Sequence, residues 1–241
     1  MRPSLFKATQ IEAGYGLSRV LHGVDIEVGE GETVGLIGRN GVGRSTLLKA
    51  IMGLIASRGE IEMAGRSLRG ARTHELSRAG IAYVPEDRRI FPDLTVRENL
   101  SVGRPARASA GSNARGPRWT EEEFFELFPN LKRRANVPGG VLSGGEQQML
   151  TICRALMSEP RLLLVDEPTE GLSLAMIEQV AALLAEVSKR GVAILLVEQK
   201  LTIALRLSHR LTVMGHGRIV FNGNVETFQN TPSIRTDWLE V

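Results

Sequence analysis

The residues with the clearest chemical potential form a glycine-rich stretch, residues 38–46. The stretch follows an apolar run and precedes a helix-forming one, which predicts a strand, a turn and the start of a helix. The backbone N–H groups of such a turn and the positive end of the helix dipole form a cradle for phosphate groups. The predicted cradle consists of Gly38, Arg39, Asn40, Gly41, Val42, Gly43, Arg44, Ser45 and Thr46.

The spacing of these residues matches the P-loop of nucleotide-binding proteins except at one position. The pattern requires Gly, four residues, Gly, Lys and then Ser or Thr, and this chain has Arg44 where the lysine belongs. Arginine keeps the positive charge, but its planar fork is larger than an ammonium group and does not replace it freely at a tight site. We therefore expect the guanidinium to fit poorly beside the phosphates, so that the chain binds nucleotide weakly and reacts slowly.

Two carboxylates, Asp166 and Glu167, follow a second apolar run. Phosphoryl transfer needs Mg²⁺ and a positioned water molecule. Asp166 can hold the metal through water, with the Ser45 hydroxyl at the magnesium position, and Glu167 can act as the general base. The alternative, a simple turn before Pro168, is weaker because four apolar residues lead directly into two acids that need partners.

Alternating strands and helices predict an α/β fold with a mainly parallel sheet covered on both faces. Short strands are expected early in the chain, and a capping box at Thr120 and Glu123 opens a later helix. Residues 101–118 hold two prolines, four arginines and no acid, which indicates a mobile surface loop. The predicted strands cover residues 5–12, 24–28, 33–37, 81–84, 161–168 and 193–197, and residues 59–65 are predicted as a strand and turn.

Ligands of parallel sheets bind beyond the carboxyl ends of the strands. Residues 38–46, Asp166-Glu167 and Glu198-Gln199 all follow predicted strands, so we expect them to converge on one site. Residues 143–145, Ser-Gly-Gly, precede a predicted helix and are either its N-cap or a second anion site. Tyr15 lies between two glycines in a predicted loop, where the spacing favours a turn aromatic over a ring that stacks on a base.

Composition excludes several classes of protein. The 30 basic residues are balanced by 27 acidic ones and aromatics make up 5% of the chain, which argues against nucleic-acid binding. No apolar run reaches the ~20 residues of a membrane span, and we expect no secretory signal. The single cysteine, Cys153, predicts a reducing compartment and a small apolar residue packed on a helix, and His216 is expected to be a turn residue.

Together, three stretches give the chain a family resemblance from about residue 5 to its C-terminus. The P-loop, residues 142–148 (LSGGEQQ) and residues 162–168 (LLLVDEP) resemble those of the ATPase subunits of ABC transporters. Residues 36–41, 83–92 and 195–199 resemble in particular the ATPase subunits of branched-chain amino acid importers. The urea-type importers are similar enough to remain an alternative.

This resemblance implies one P-loop NTPase domain over residues 5–241. Its α/β core would comprise residues 5–86 and 142–241, with an N-terminal antiparallel β subdomain and an inserted helical subdomain at residues 87–141. The implied cofactors are ATP and Mg²⁺.

Several residues take specific roles from the resemblance. Tyr15 would stack on adenine, which reverses the preference drawn from spacing. Glu86 stands at the Q-loop position and joins Ser45 and Asp166 as a metal residue. Gln199 stands at the switch position, where its amide can donate to a γ-phosphate but cannot become cationic.

The resemblance also implies partners and a location. Two ATPase subunits would meet head to tail through residues 170–173, with a companion paralogue as the favoured partner, and Ser143, Gly144 and Gly145 of each would bind the other's nucleotide. The helical subdomain would dock the membrane permease on the cytoplasmic face of the plasma membrane, and a periplasmic solute-binding protein would act indirectly. The implied function couples ATP binding and hydrolysis to the uptake of amino acids, above all branched-chain ones.

Other functions compete with this one. Arg44 by itself suggests a nucleotide-dependent clamp with little turnover, or a subunit with impaired hydrolysis at its own P-loop. Intact Ser45, Asp166 and Glu167 argue against a dead site. A DNA-repair ABC protein would need a long coiled coil before the LSGGEQQ stretch, a translation factor usually fuses two such domains, and a small-molecule kinase has no use for that stretch.

Overall fold

A computed structural model describes residues 3–105 and 116–240 of the chain. Within these ranges the strands form two sheets, and helices pack around them. The strands are β1 (Ser4–Tyr15), β2 (Ser18–Gly29), β3 (Thr33–Ile37), β4 (Ser57–Met63), β5 (Arg66–Ser67), β6 (Ile81–Val84), β7 (Leu162–Asp166), β8 (Ala193–Val197), β9 (Arg210–Gly215) and β10 (Arg218–Asn224). The helices are α1 (Arg44–Ile51), α2 (Thr73–Arg78), α3 (Val96–Val102), α4 (Glu121–Leu127), α5 (Pro129–Arg133), α6 (Gly144–Leu156), α7 (Leu174–Lys189), α8 (Leu201–Leu207), α9 (Val225–Gln229) and α10 (Pro232–Trp238).

The larger sheet has the strand order β10-β9-β3-β8-β7-β6. Its strands run parallel from β9 to β6, and β10 closes the edge as an antiparallel hairpin with β9. Every residue of β3, β7 and β8 is buried, as expected for parallel strands covered by helices on both faces. The apolar stripe of α7 is buried as well; it consists of Ile177, Val180, Ala181, Leu184 and Val187. The α/β prediction, with a mainly parallel sheet, is therefore confirmed.

The smaller sheet is antiparallel, with the strand order β2-β1-β4-β5. Our prediction of a short first strand ending at residue 12, with Tyr15 in a loop, was wrong. β1 continues to Tyr15 because it pairs with β2 along its whole length, and Tyr15 lies opposite Ser18 at the end of the hairpin. Register shifts, one of them around Gln10 with its φ of 52°, interrupt the alternation of inward and outward side chains along β1. The sequence pattern therefore does not predict one long strand.

Between β6 and α6 the described chain contains the helices α3, α4 and α5, joined by irregular segments. The predicted capping box opens α4: the Thr120 hydroxyl accepts from the Glu123 N–H at 3.2 Å, and the Glu123 carboxylate accepts from the Thr120 N–H at 2.7 Å. The predicted mobile loop at 101–118 was placed too early, because Ser101 and Val102 belong to α3. Residues 106–115 of that prediction lie outside the described residues, and the subdomain boundaries remain a proposal.

Two smaller predictions concern single residues. Cys153 is fully buried on α6, and burial raises the pKa of its thiol well above the usual range, so it is an apolar packing residue as expected. His216 lies in the turn between β9 and β10 with a φ of 47°, also as expected. In the described part of the chain, no helix combines the length and the apolar character needed to cross a bilayer.

The segment that leads from β6 to α3 depends on one buried side chain, Asn99. Its amide oxygen accepts from the Phe91 N–H at 2.9 Å, and its amide nitrogen donates to the carbonyls of Phe91, Leu94 and Thr95 at 2.9–3.0 Å. Because Asn99 is fully buried, no water can replace these bonds.

We predict that Asn99→Ala lowers the free energy of unfolding by about 3 kcal/mol, since it leaves several buried backbone groups unpaired. Ser101→Ala is the control on the same helix, because that exposed hydroxyl only donates to the Glu98 carbonyl; it should cost less than about 0.5 kcal/mol. Urea unfolding of both variants measures the difference, and equal costs would contradict the role given to Asn99.

Candidate nucleotide-binding site

The glycine-rich stretch forms the turn between β3 and α1. Gly41 and Gly43 have φ angles of 79° and 110°, in the left-handed region that favours glycine, and Gly43 caps α1. A side chain at Gly38 would lie 2.5 Å from the carbonyl oxygen of Met214 on β9. The glycines thus let the backbone turn tightly against the sheet and direct the N-terminus of α1 towards a cavity.

This cavity, of about 330 Å³, lies at the carboxyl edge of the parallel strands. The predicted phosphate cradle, the end of β7 and the end of β8 all contribute to it, so the structure brings the three predicted groups together. Its lining residues are Asn40, Gly41, Gly43, Arg44, Ser45, Thr46, Glu86, Glu167, Glu170 and Gln199.

Asp166 is buried beside this cavity with both carboxylate oxygens bonded. Ser45 donates its hydroxyl to Oδ1 at 2.9 Å, and Tyr83 donates its hydroxyl to Oδ2 at 3.0 Å. Burial raises the pKa of Asp166, and the two hydrogen bonds act in the opposite direction. A serine hydroxyl next to an aspartate carboxylate is a pair of hard oxygen donors, which suits Mg²⁺. Glu86 lies near enough to raise the pKa of Asp166 further by its negative charge.

The Arg44 side chain is only 4% exposed, and its guanidinium is hydrogen-bonded to three other residues. Nη2 donates to Glu167 Oε1 at 2.8 Å and to Asn40 Oδ1 at 3.1 Å, and Nη1 donates to the Glu198 carbonyl at 3.1 Å. We expected this group to crowd the phosphates, whereas it pairs with the predicted base. Burial raises the pKa of Glu167, and the charge of Arg44 opposes that shift.

Glu167 also has an unusual backbone. Its φ of 44° lies in the left-handed region, which costs a residue other than glycine about 1–3 kcal/mol. Its N–H donates to the Val197 carbonyl at 2.9 Å, so pairing with the end of β8 holds this conformation. The strain directs Glu167 away from the strand direction of β7 and into the cavity.

Glu198 is 1% exposed and fixes the turn that carries Gln199. Its Oε1 accepts from the backbone N–H groups of Gln199 and Lys200 at 3.0 and 3.1 Å, and its Oε2 accepts from the Thr169 hydroxyl at 2.9 Å. Burial raises the pKa of Glu198, and these bonds oppose the shift. Gln199, next in the chain, lines the cavity.

Some predicted residues lie elsewhere. Gly38 and Arg39 line a neighbouring cavity of about 430 Å³, where Arg39 donates to the backbone carbonyl of Glu240. Val42 packs on the core, and Tyr15, 49% exposed, is not among the residues that line the phosphate cavity.

The LSGGEQQ stretch also lies apart from the phosphate cavity. Ser143 caps α6, where its hydroxyl accepts from the Glu146 N–H at 3.4 Å. Within one chain, none of residues 143–145 lines the cavity.

Sequence reasoning missed the contacts of Tyr83, Thr169 and Glu198. Tyr83 reaches Asp166 only because β6 pairs with β7, and that neighbour relation depends on strand order. The signal for Glu198 was its position beside Gln199 at a strand end, where a buried acid needs donors.

Comparison with known proteins decides the family. A sequence profile described as "ABC transporter" matches residues 21–170. The chain belongs to the ABC transporter ATPase family. Members of this family bind ATP, generally with Mg²⁺, hydrolyse it in transport, and work as dimers with permease components.

Relatives extend the similarity to almost the whole chain. The high-affinity branched-chain amino acid transport ATP-binding protein BraG of Pseudomonas aeruginosa is 41% identical, over 95% of this chain and 97% of its own. The probable branched-chain amino acid transport ATP-binding protein LivF of Archaeoglobus fulgidus is 32% identical, over 91% and 92%. The lipopolysaccharide export ATP-binding protein LptB of Haemophilus influenzae is 29% identical, over 98% and 97%.

Solved structures of other ATP-binding subunits have the same fold as this ABC ATPase. A nucleotide-free ATP-binding cassette from an ABC transporter superposes with a TM-score of 0.79 at 26% identity, covering 95% of each chain. An ATP-binding subunit of an ABC transporter also gives 0.79, at 31% identity and with 96% and 94% covered.

We predict that Tyr83→Phe weakens Mg²⁺ binding about tenfold, because a lost hydrogen bond to a metal-binding carboxylate lets it rotate. Burial and the nearby Asp166 raise the pKa of the Tyr83 hydroxyl, which therefore remains a donor. Titrating Mg²⁺ at fixed ATP and following nucleotide binding measures the effect. Saturating Mg²⁺ should restore binding, and a defect that persists there would contradict a role through the metal.

Proposed function

We propose that this chain is the ATP-binding subunit of an ABC importer that couples ATP binding and hydrolysis to the uptake of amino acids, with branched-chain amino acids as substrates. The observation that carries the proposal is the 41% identity to BraG across nearly the full length of both chains. The match to LivF supports it. Ribose import proteins match over less than half of their own length, at 34% identity or below, and LptB is less similar, so these substrates have less support.

The proposed assembly is a head-to-tail dimer on a membrane permease. A phosphate cavity that contains the P-loop but not residues 143–145 supports a site shared between two subunits. The capped N-terminus of α6 would then complete the partner's site. Residues 87–141 would form the helical subdomain that contacts the permease at the inner face of the plasma membrane.

In the proposed reaction, a water oxygen attacks the γ-phosphorus of ATP, and the bond to the oxygen that bridges the β- and γ-phosphates breaks to give ADP and phosphate. Mg²⁺, when bound, offsets charge on the phosphates. Ser45 and Asp166 would hold it, and Glu167 would accept the proton of the attacking water. Gln199, positioned by Glu198, would donate its amide to the γ-phosphate.

The experiment for the transport function uses the whole importer in proteoliposomes, with the chain, its companion ATPase, permease and solute-binding protein. We expect ATP-dependent uptake of radiolabelled leucine, which should fall at least tenfold when ATP is omitted. Urea and ribose are the comparison solutes. Uptake of either, without uptake of leucine, would reject amino acids as the substrate class.

The contact between Arg44 and Glu167 favours a narrower form of this function, a subunit that binds ATP but turns over slowly at its own P-loop. The guanidinium of Arg44 is paired with the proposed base, with Nη2 at 2.8 Å from Glu167 Oε1. Ser45 and Asp166 remain hydrogen-bonded to each other, the arrangement expected of residues that hold the metal. The subunit would then contribute its residues 143–145 fully to the partner's site and hydrolyse little at its own.

We predict that Arg44→Lys raises the ATPase rate of the purified chain by up to about 100-fold, because a compact ammonium group frees the base and holds the phosphates in line. Arg39→Lys is the matched control, since Arg39 lies on the same loop but outside the phosphate cavity. A steady-state phosphate-release assay measures both. Equal rates for Arg44→Lys and wild type would contradict impaired turnover.

A further inference from the structure

The arrangement around Arg44 links three parts of the site. One guanidinium joins the P-loop through Asn40, the end of β7 through Glu167, and the end of β8 through the carbonyl of Glu198. The Arg44 and Glu167 side chains are 4% and 12% exposed, so water contributes little to either charge. A buried ion pair of this kind is costly to break unless another charge replaces the lost partner.

A nucleoside triphosphate can supply that replacement. If Glu167 is the base, then the γ-phosphate must lie beside it, and the oxygens of that phosphate are the strong acceptors that a guanidinium prefers. A diphosphate brings no γ-phosphate to this place. Its β-phosphate can reach the cation of a P-loop, but it offers Arg44 fewer oxygens, so its binding draws Arg44 away from Glu167 less strongly.

A lysine at position 44 would not behave in the same way. Its ammonium carries three donors on one atom and lacks the planar fork through which Arg44 reaches Asn40, Glu167 and Glu198 with two separate nitrogens. The arginine that departs from the P-loop pattern makes this three-way contact, which reaches the ends of both β7 and β8.

We propose that Arg44 is a γ-phosphate-dependent latch, which holds the Glu167 carboxylate and releases it when a nucleoside triphosphate takes the place of that carboxylate on the guanidinium. This role rests on the proposed function. ATP binding includes the exchange of one anion for another, and the base becomes available as a result of that exchange.

The latch predicts a coupling between two side chains in nucleotide binding. We expect Glu167→Gln to raise the affinity for AMP-PNP, a triphosphate that is not hydrolysed, about tenfold more than Glu170→Gln does; tenfold corresponds to about 1.4 kcal/mol. Glu170 is the matched control, because this residue lines the same cavity and no contact joins it to Arg44 among the described residues.

The same two changes are then made in Arg44→Lys, and binding to the purified full chain is measured by calorimetry with Mg²⁺. There the excess effect of Glu167→Gln on AMP-PNP affinity should be at least halved, because one ammonium nitrogen holds the carboxylate and its neighbours at fewer points than the guanidinium does. With ADP, the excess effect of Glu167→Gln in the wild-type background should be smaller. An excess of unchanged size in Arg44→Lys, or one that is as large with ADP, would overturn the latch and indicate plain charge repulsion.

A second measurement needs no nucleotide. In thermal unfolding, Glu167→Gln should lower the Tm more than Glu170→Gln in the wild-type background, and the difference should shrink in Arg44→Lys. The same shift in both backgrounds would overturn the latch. If none of the proteins binds AMP-PNP, the proposed function fails, and the latch fails with it; normal binding without coupling removes the latch alone.

Discussion

Burial of negative charge at one edge of the parallel sheet is the constraint on which the site depends. Asp166, Glu167 and Glu198 stand at the ends of two neighbouring strands, and burial raises the pKa of each. A carboxylate in such a place is stable only with donors around it. Two hydroxyl groups donate hydrogen bonds to Asp166. Backbone N–H groups and a threonine hydroxyl donate to Glu198. Glu167 instead accepts from the guanidinium cation of Arg44.

The donors of these carboxylates differ in whether a bound ligand can displace them. The donors of Glu198 belong to the scaffold and remain when the cavity fills. Glu167 depends on a residue of the phosphate cradle, the part of the site that meets the ligand first. Of these two neighbouring acids, it is therefore the one whose surroundings respond to the arrival of phosphate.

Much of the fold and the outline of the site follow from local pattern. Buried apolar runs predict β3, β6, β7 and β8 closely, because strands covered on both faces have no polar alternation to obscure them. The long β1–β2 hairpin was missed, since register shifts break its period. The chemistry at the ends of the strands was recognised from residue types. The contact of Arg44 with Glu167 was not, because it joins residues 123 positions apart whose distance depends on strand order.

The buried Cys153 has a practical consequence for work on this subunit. Its thiol is inaccessible, and its raised pKa keeps the reactive thiolate scarce, so the folded chain behaves towards labelling reagents as if it lacked cysteine. A cysteine introduced on the surface can then carry a spin label or fluorophore at one defined position without prior mutagenesis of the core. Distances between such probes on two subunits would report directly how the pair closes around nucleotide.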